Sequence, residues 1–229
     1  MTMEKEELKK AAGIEAAKFV LDGMNIGLGT GSTVRYTIIE LGRRIREEGL
    51  KVRGIPTSRS TEELAKEHGI PLTDFGQVEM LDLTIDGADE VDQELNLTKG
   101  GGGALLREKI IAANSKRLII VVDDAKLVEH LGTIYPLPVE ITPFGWEATF
   151  RRFKTFNCDV QIRRTPTGDF YVSDNGNYIL DCKFEIIATP ELTERFISVI
   201  PGVVEVGLFV RMCDTLVVGT RDGVKIIGD

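Results

Sequence analysis

Apolar and polar positions in the first half of the chain alternate between strand-like and helix-like segments. Short apolar runs bounded by turn residues predict strands, and apolar residues spaced three or four apart predict helices. The predicted strands are NIGL, KVRGIPTS, IPLTDF, MLDLTID and KRLIIVV. Helices are predicted at the chain start, after the glycine-rich turn that follows NIGL, at SRSTEELAKEHG and at ALLREKIIAA. Strands that alternate with helices are typical of an α/β fold with a parallel sheet.

The pattern changes from about residue 131. Strand, helix, two strands, helix and strand follow in PVEITPF, WEATFRRFKTF, CDVQIRR, DFYVSDNGNYILDCKF, TPELTERFISVI and VVEVGLFV. This βαββαβ order predicts a ferredoxin-like α+β domain. The last stretch, DTLVVGTRDGVKIIG, predicts a β-hairpin that returns to the first domain. We therefore expect an α/β domain over 1–130 plus 206–229, and an inserted α+β domain over 131–205.

The stretch DGADEVDQELNLTKGGGGALLREK, residues 86–109, joins the end of a predicted strand to the start of a predicted helix. In open α/β sheets, ligands bind in the crevice beyond the carboxyl ends of the strands. Gly100–Gly103 cost backbone entropy and offer no side chain to pack. We infer that the glycines let the backbone come close to an anion and direct its N–H groups toward it. Lys99 adds a positive charge at the same place.

Glu108 lies on a largely apolar face of the predicted helix. At a period of 3.6 residues, the positions that flank it are Ala104, Leu105, Ile111 and Ala112. A carboxylate in such a face is costly unless it is paired or reactive. A structural ion pair with Lys99 or Arg107 is the alternative to a catalytic role.

The turn GLGTGST at 27–33 has the layout of a phosphate cradle, with backbone N–H groups and three hydroxyls. It does not fit G-x-G-x-x-G, because Ser32 stands at the last glycine position, and GKS or GKT is absent. No acid ends KVRGIPTS to bind a ribose hydroxyl, which also argues against a nicotinamide cofactor. The alternative is an ordinary turn in which Ser32 or Thr33 caps the next helix.

Lys126, just beyond KRLIIVV, is placed to reach an anion in the crevice, or it is an ordinary solvated lysine.

Composition narrows the function classes. The chain has 229 residues, 42% of them hydrophobic, and a formal net charge of −8, which argues against nucleic-acid binding. Its three cysteines, at 158, 182 and 213, are scattered and form no C-x-x-C, so neither a disulfide framework nor a zinc site is indicated, and a reducing cytoplasm is favoured. The charged start does not have the pattern of a signal peptide, and the longest aliphatic run, LIIVV, is too short to cross a bilayer. With only His68 and His130, acid–base work falls to carboxylates and lysines.

The chain resembles the A-type ribose-5-phosphate isomerase family. The motifs that carry the resemblance are GLGTGST at 27–33, IPTS at 55–58, DGADEVD at 86–92, KGGGGALLREK at 99–109 and PLPVEI at 136–141. The resemblance implies a Rossmann-like α/β domain with a smaller inserted α+β domain. It also implies interconversion of ribose 5-phosphate and ribulose 5-phosphate in the non-oxidative pentose phosphate pathway, no metal or other cofactor, and a homodimer or homotetramer.

The resemblance further implies roles for single residues. Glu108 is expected to move a proton between C2 and C1 of the sugar. The residues expected to open the sugar ring and hold its oxygens are Asp86, Asp89 and Lys99. Those matched chiefly to the phosphate end are Lys9, Ser32, Thr33 and Lys126. The remaining predicted substrate-binding residues are Thr30, Gly31, Gly87, Gly100, Gly101 and Gly102.

This chemistry suits the residue types of the 86–109 stretch. Removing a proton next to a carbonyl forms an enediolate, so a base must face C1 and C2 while donors meet the negative charge on oxygen. Because the GLGTGST cradle provides a separate place for the phosphate, the four glycines are expected to act with Lys99 as donors to the enediolate. Two alternatives stay open: a sugar-phosphate-sensing effector domain, which would need a DNA-binding module that is not visible here, and a related acyl transfer enzyme with Glu108 as nucleophile.

Overall fold

The computed structural model describes residues 3–228, so Asp229 and the first two residues of the predicted amino-terminal helix, Met1 and Thr2, lie outside the described residues. The chain forms two compact units. Unit 1 holds the described residues up to Ala88, then Arg107–Lys126 and the chain from Met212 onward. Unit 2 holds Asp89–Leu106 and Leu127–Arg211. Each unit has its own hydrophobic core.

Six helices and thirteen strands are assigned among the described residues. The strands are β1 (Asn25–Leu28), β2 (Arg53–Pro56), β3 (Leu83–Asp86), β4 (Glu90–Val91), β5 (Leu97–Thr98), β6 (Leu118–Asp123), β7 (Leu137–Ile141), β8 (Asp159–Ile162), β9 (Tyr178–Lys183), β10 (Val203–Val206), β11 (Leu208–Phe209), β12 (Thr215–Thr220) and β13 (Gly223–Gly228). The helices are α1 (Met3–Ala17), α2 (Val34–Glu48), α3 (Arg59–Glu67), α4 (Leu105–Ala113), α5 (Trp146–Phe153) and α6 (Pro190–Ser198).

Unit 1 is built on a six-stranded sheet in the order β13-β12-β6-β3-β1-β2. All neighbours pair in parallel except β12 and β13, which form the predicted carboxyl-terminal hairpin. The aliphatic run LIIVV lies in β6, and every residue of that strand is buried, as expected for an inner strand of a covered parallel sheet. From β1 the chain proceeds to β2 on one side, whereas β3 lies on the other side. The crevice beyond β1 and β3 is therefore a topological switch point, where α/β sheets bind ligands.

Two helices of unit 1 are delimited by local signals in the sequence. Helix α2 ends at Gly49, which adopts a left-handed conformation (φ 74°) that glycine reaches without steric cost. Helix α3 begins after Ser58, whose side chain accepts a hydrogen bond from the Thr61 N–H at 3.1 Å. Gly49 thus fixes where the connection from α2 to β2 begins, and Ser58 fixes where the loop after β2 ends.

Unit 2 contains a four-stranded antiparallel sheet in the order β10-β7-β9-β8, accompanied by α5 and α6. This is the predicted ferredoxin-like βαββαβ arrangement. A second, three-stranded sheet joins β11, β5 and β4, so the segment just before the four glycines is held in sheet structure. The structure thus confirms the predicted fold class. None of the described helices is both long and apolar enough to span a membrane.

The structure differs from the sequence pattern in three places. IPLTDF forms only an isolated bridge between Leu72 and Gly54, and DFYVSDNGNYILDCKF forms a strand only over its final part, Tyr178–Lys183. The strands β4 and β5 were not predicted. The compact units also place 89–106, 127–130 and 206–211 with unit 2, whereas the sequence pattern assigns them to the first domain. The domain boundaries 1–130 plus 206–229 and 131–205 remain a prediction.

Candidate active site

The loop between β1 and α2 presents backbone N–H groups at the amino end of a helix. Gly31 has a φ of 136°, which favours glycine. Within residues 3–228, the N–H groups of Gly31, Ser32 and Thr33 donate no hydrogen bond to the chain. Thr33 occupies the N-cap position, but its side chain makes no capping hydrogen bond. The loop can therefore bind an anion, and helix capping does not account for the Thr33 hydroxyl.

A cavity of about 290 Å³ opens beside Gly31 and Ser32. Its lining includes Arg35 and Ser60, which the sequence analysis did not single out. Arg35 lies in the first turn of α2, and a basic residue two positions after a phosphate-cradle motif is the signal that could have found it.

The Thr30 hydroxyl is hydrogen-bonded to the hydroxyls of residues that follow β2. The hydroxyl lies 2.7 Å from Thr57 Oγ1, 2.8 Å from Ser58 Oγ and 3.0 Å from Thr61 Oγ1. Thr57 and Ser58 belong to the IPTS motif, so this motif braces the loop after β1 from the neighbouring strand β2. A substrate contact from the Thr30 hydroxyl stays a prediction.

Asp86 joins the loops that follow β1 and β3. It is 1% exposed, and its Oδ1 accepts hydrogen bonds from the Gly87 N–H at 2.7 Å and the Thr30 N–H at 3.0 Å. A Cβ on Gly29 would lie 2.2 Å from the same Oδ1, so only glycine allows this approach. The structure thus brings Gly87 and Thr30, both predicted substrate-binding residues, together around the predicted catalytic Asp86.

Two predicted lysines lie elsewhere on unit 1. Lys9 is buried in α1, with its Nζ 3.3 Å from Glu6 Oε1. Lys126 is half-buried at the end of a single 3₁₀ turn that directly follows β6. This turn is at the carboxyl end of the sheet, and a contact of Lys126 with the substrate stays a prediction.

Asp123 is a buried acid that the sequence analysis passed over. It is the last residue of β6, next to β3 in the sheet, and its Oδ1 accepts a hydrogen bond from the Ala125 N–H at 3.2 Å. In the described part of the chain, its Oδ2 is buried and has no hydrogen-bond partner. The available signal was an acid ending a fully apolar strand, the same signal that identified Asp86.

Lys99 is held in unit 2 at the end of β5. Although it is a lysine, it is 2% exposed. Its N–H donates to the Gly207 carbonyl at 2.8 Å, and its Nζ lies 5.4 Å from the centre of the Phe209 ring. A cation over an aromatic face in a desolvated place is stabilised electrostatically. Burial of this kind is typical of a functional lysine rather than of a solvated one.

The glycine loop that follows Lys99 already uses two of its N–H groups. The Gly101 N–H donates to Asp89 Oδ2 at 2.7 Å, and the Gly103 N–H donates to the Gly100 carbonyl at 2.9 Å. Across the described chain, the N–H groups of Gly100 and Gly102 donate to no protein acceptor. Asp89 therefore braces the loop, and the donors available to a ligand are Gly100 and Gly102.

Glu108 lies in the first turn of α4 and is 4% exposed. The residues one turn away from it are also buried: Ala104, Leu105, Ile111 and Ala112. Ile110, on another side of the helix, is 46% exposed. The predicted apolar environment of Glu108 is therefore confirmed, which is the setting expected for a carboxylate that reacts or is paired.

The comparisons with known proteins identify the family. The family model described as ribose 5-phosphate isomerase A (phosphoriboisomerase A) matches residues 53–223, more than half of the chain. The chain belongs to this family. The resemblance inferred from the motifs is confirmed.

Relatives of the isomerase family match nearly the whole chain. Ribose-5-phosphate isomerase A 1 of Oceanobacillus iheyensis is 51% identical over 223 residues, which cover 97% of this chain and 99% of the relative. A solved structure of ribose 5-phosphate isomerase A from Methanocaldococcus jannaschii is 42% identical, with a TM-score of 0.93, and covers 98% of this chain and 100% of its own. Another isomerase structure, a complex with phospho-erythronic acid, is 42% identical, with a TM-score of 0.95 and complete coverage of both chains.

Proposed function

We propose that this chain interconverts D-ribose 5-phosphate and D-ribulose 5-phosphate through an enediolate, as an aldose-ketose isomerase of the non-oxidative pentose phosphate pathway. The observation that carries the proposal is its similarity to ribose-5-phosphate isomerases over nearly its entire length. Membership of the family also argues against the two alternatives, a sugar-phosphate-sensing effector domain and an acyl transfer enzyme.

Glu108 is the proposed base. Isomerisation requires one group to take the proton from C2 of the aldose and return it to C1, and a carboxylate can do both. Glu108 is buried on an apolar helix face, which is the setting expected for a carboxylate that reacts or is paired. No redox cofactor is needed for this step, and its absence remains a prediction.

Lys99 and the N–H groups of Gly100 and Gly102 are the proposed donors to the charge that develops on the sugar oxygens. Donors fixed before the reaction stabilise a transition state without reorganising during it. Asp86 and Asp89 are proposed to transfer hydroxyl protons and to open the furanose ring. The relative's ligand, phospho-erythronic acid, combines a phosphate with a carboxylate, and we expect it to inhibit this chain because the carboxylate resembles the enediolate in charge.

The phosphate is proposed to bind at the loop between β1 and α2. The unused N–H groups of the 31–33 loop and the hydroxyls of Ser32 and Thr33 suit a phosphomonoester, and Lys9 and Lys126 supply positive charge. Separating the phosphate from the glycine loop leaves Gly100 and Gly102 for the reacting oxygens.

A coupled assay of the wild-type protein tests the function. We expect ribose 5-phosphate to be converted to ribulose 5-phosphate in the presence of a chelator, and glucose 6-phosphate to be isomerised much more slowly. Phospho-erythronic acid should inhibit competitively. Absence of pentose phosphate isomerisation with folded protein would overturn the proposal, and dependence on added metal would overturn its cofactor-free form.

We also propose a homo-oligomer, a dimer or a tetramer. Leu192, Phe196 and Val199 are exposed at positions i, i+4 and i+7 along α6 and its end, so they form one apolar stripe on unit 2. Phe144 is 95% exposed. It is close in the chain to Thr142, whose N–H bonds to the Gly202 carbonyl just beyond that helix. An exposed apolar patch of this kind favours a protein–protein contact.

A cytoplasmic location is proposed on the basis of the three scattered cysteines.

A further inference from the structure

The carbonyl side of the glycine loop is held by two side chains that the sequence analysis did not single out. Arg163 Nη1 donates to the Gly100 carbonyl and to the Gly101 carbonyl, both at 3.1 Å. The Tyr171 hydroxyl donates to the Gly102 carbonyl at 3.1 Å. Three successive carbonyls of the loop are thus fixed by residues of the α+β unit.

Arg163 is itself fixed by a bidentate ion pair. Its Nε and Nη2 donate to the two oxygens of Asp181 at 2.9 Å and 2.5 Å, and both side chains are largely buried. Asp181 lies on β9, so the guanidinium is anchored to the four-stranded sheet. The planar fork of arginine can hold a carboxylate with two nitrogens and still present the third to the loop, which lysine cannot do.

Tyr171 closes the other side of the loop. Its ring lies 5.6 Å from the Arg163 guanidinium, and a Cβ on Gly103 would come within 2.3 Å of its hydroxyl oxygen. Burial raises the pKa of Tyr171 above its ordinary value, so the hydroxyl stays protonated and remains a donor throughout the neutral range.

Peptide geometry makes the consequence specific. In a trans peptide unit, the carbonyl of one residue and the N–H of the next are coplanar and point in opposite directions. The unit between Gly100 and Gly101 is held at both ends, by Arg163 and by Asp89. The unit between Gly102 and Gly103 is also held at both ends, by Tyr171 and by the Gly100 carbonyl. The third peptide unit of the loop, between Gly101 and Gly102, is held at its carbonyl by Arg163. Its N–H, which is that of Gly102, donates to no acceptor in the described residues.

We propose that Arg163, supported by Asp181 and Tyr171, is a positioning residue that aims the Gly102 N–H at the reacting oxygens of the sugar. It acts through the loop and does not touch the substrate. This inference rests on the proposed isomerase function, since the oxygens in question are those of the enediolate.

The test compares Arg163→Met with Arg164→Met in the full-length protein. Arg164 is a matched control because its guanidinium donates to the Gly168 carbonyl at 2.7 Å and lies over the Phe170 ring at 4.6 Å, with no bond to the glycine loop. For Arg163→Met we expect kcat to fall roughly 10- to 100-fold, as for a small displacement of a catalytic donor, while KM changes less than about threefold. Inhibition by phospho-erythronic acid should weaken in proportion to kcat/KM, because both report binding of the enediolate charge. Arg163→Lys should recover only part of the loss.

A kcat for Arg163→Met within about twofold of the control, or a change confined to KM, would overturn the proposal. If Arg163→Met does not fold, Tyr171→Phe tests the proposal instead, because this variant keeps the ring and removes only the hydroxyl bond to the Gly102 carbonyl. A reduced kcat with unchanged KM in Tyr171→Phe supports the proposal, and wild-type kinetics overturn it. The wild-type assay is run first. Its failure would refute the isomerase function, whereas active wild type with an unaffected Arg163→Met would refute only the role of Arg163.

Discussion

At the scale of single residues, Gly29 is the position that keeps Asp86 in place. A Cβ there would lie 2.2 Å from Asp86 Oδ1 and 2.5 Å from its Cα, and the Cα belongs to the backbone and cannot rotate away. We expect Gly29→Ala to displace Asp86 from the Thr30 and Gly87 N–H groups. The activity should fall at least about 10-fold, and the free energy of unfolding should decrease by about 1–3 kcal/mol.

Gly23→Ala is the control for this substitution. Gly23, unlike Gly29, has a positive φ, 85°, and a Cβ there would meet nothing within 4 Å, so the control variant carries backbone strain but no clash. It should lose some stability and keep wild-type kcat. Steady-state kinetics and urea unfolding of both variants check this, and equal kcat values would show that the position of Asp86 is unimportant.

Much of the candidate site could be predicted at this scale because its signals are local. A glycine run, an acid ending an apolar strand and a carboxylate on an apolar helix face are all visible within a few residues, and the burial of Asp86, Lys99 and Glu108 agrees with them. The roles of Arg163 and Tyr171 could not be predicted. Their bonds to the loop span 62 to 69 residues of sequence, and only tertiary packing brings such positions together.

At the scale of secondary structure elements, Asp82 connects the amino ends of three strands. It precedes β3, its Oδ2 accepts the N–H of Asn25 in β1 at 2.9 Å, and its Oδ1 lies 2.8 Å from Nζ of Lys116, shortly before β6. The Lys116 ammonium, together with the Asn25 N–H, holds the pKa of this carboxyl below its ordinary value. The folded state therefore favours the carboxylate form.

We expect Asp82→Asn to lower the free energy of unfolding by about 1 kcal/mol at pH 7. Because the folded pKa is depressed, this contribution is present above the unfolded pKa of about 3.9 and is lost as the pH falls through the folded value. The difference between wild type and variant should thus shrink as the pH falls below about 3.9, and it should be smaller at pH 3 than at pH 7. Urea unfolding at pH 7 and pH 3 measures it.

Glu62→Gln serves as the control for Asp82→Asn. Lys66 likewise lowers the pKa of Glu62, but this pair is on the surface of α3, where solvent screens it, and we expect no resolvable change. A difference between Asp82→Asn and wild type that persists unchanged at pH 3 would contradict the electrostatic explanation.

The elements with strong periodicity were predictable, and those interrupted by turn residues were not. IPLTDF pairs at a single bridge because Pro71 has no N–H to donate to a ladder. In DFYVSDNGNYILDCKF, Gly176 has a φ of 81° and the Ser173 hydroxyl bonds to Glu140, so the segment turns before β9 begins. Such side-chain bonds compete with strand pairing and are not visible in the alternation of apolar residues.

At the scale of the whole molecule, the stripe of Leu192, Phe196 and Val199 predicts self-association. Phe196 is 60% exposed near its centre, and placing a charge there should prevent a second copy from covering it. We expect Phe196→Glu to shift the protein from an oligomer to a monomer in sedimentation equilibrium. Leu21→Glu, at an apolar residue equally exposed on unit 1, is the control and should leave the oligomer intact. A wild-type protein that sediments as a monomer would refute the proposed assembly.

The two-part organisation was visible in the change of pattern near residue 131, and the family comparison confirms the function class implied by the motifs. The boundaries were harder to place, because 89–106 contains two-residue strands that pair with each other and with β11, more than a hundred residues away. Pairing over such a distance leaves no local sequence signal.

Conversion of ribose 5-phosphate in D₂O by wild type and by Glu108→Gln measures whether Glu108 is the base. Wild type should form ribulose 5-phosphate carrying solvent deuterium at C1, detected by NMR, because Glu108 exchanges its proton during the enediolate step. Glu108→Gln should fold normally, bind the sugar phosphate and lose roughly 100-fold or more in turnover, because only the base is removed. Near-wild-type turnover by Glu108→Gln, with the same deuterium content in its product, would contradict the central claim.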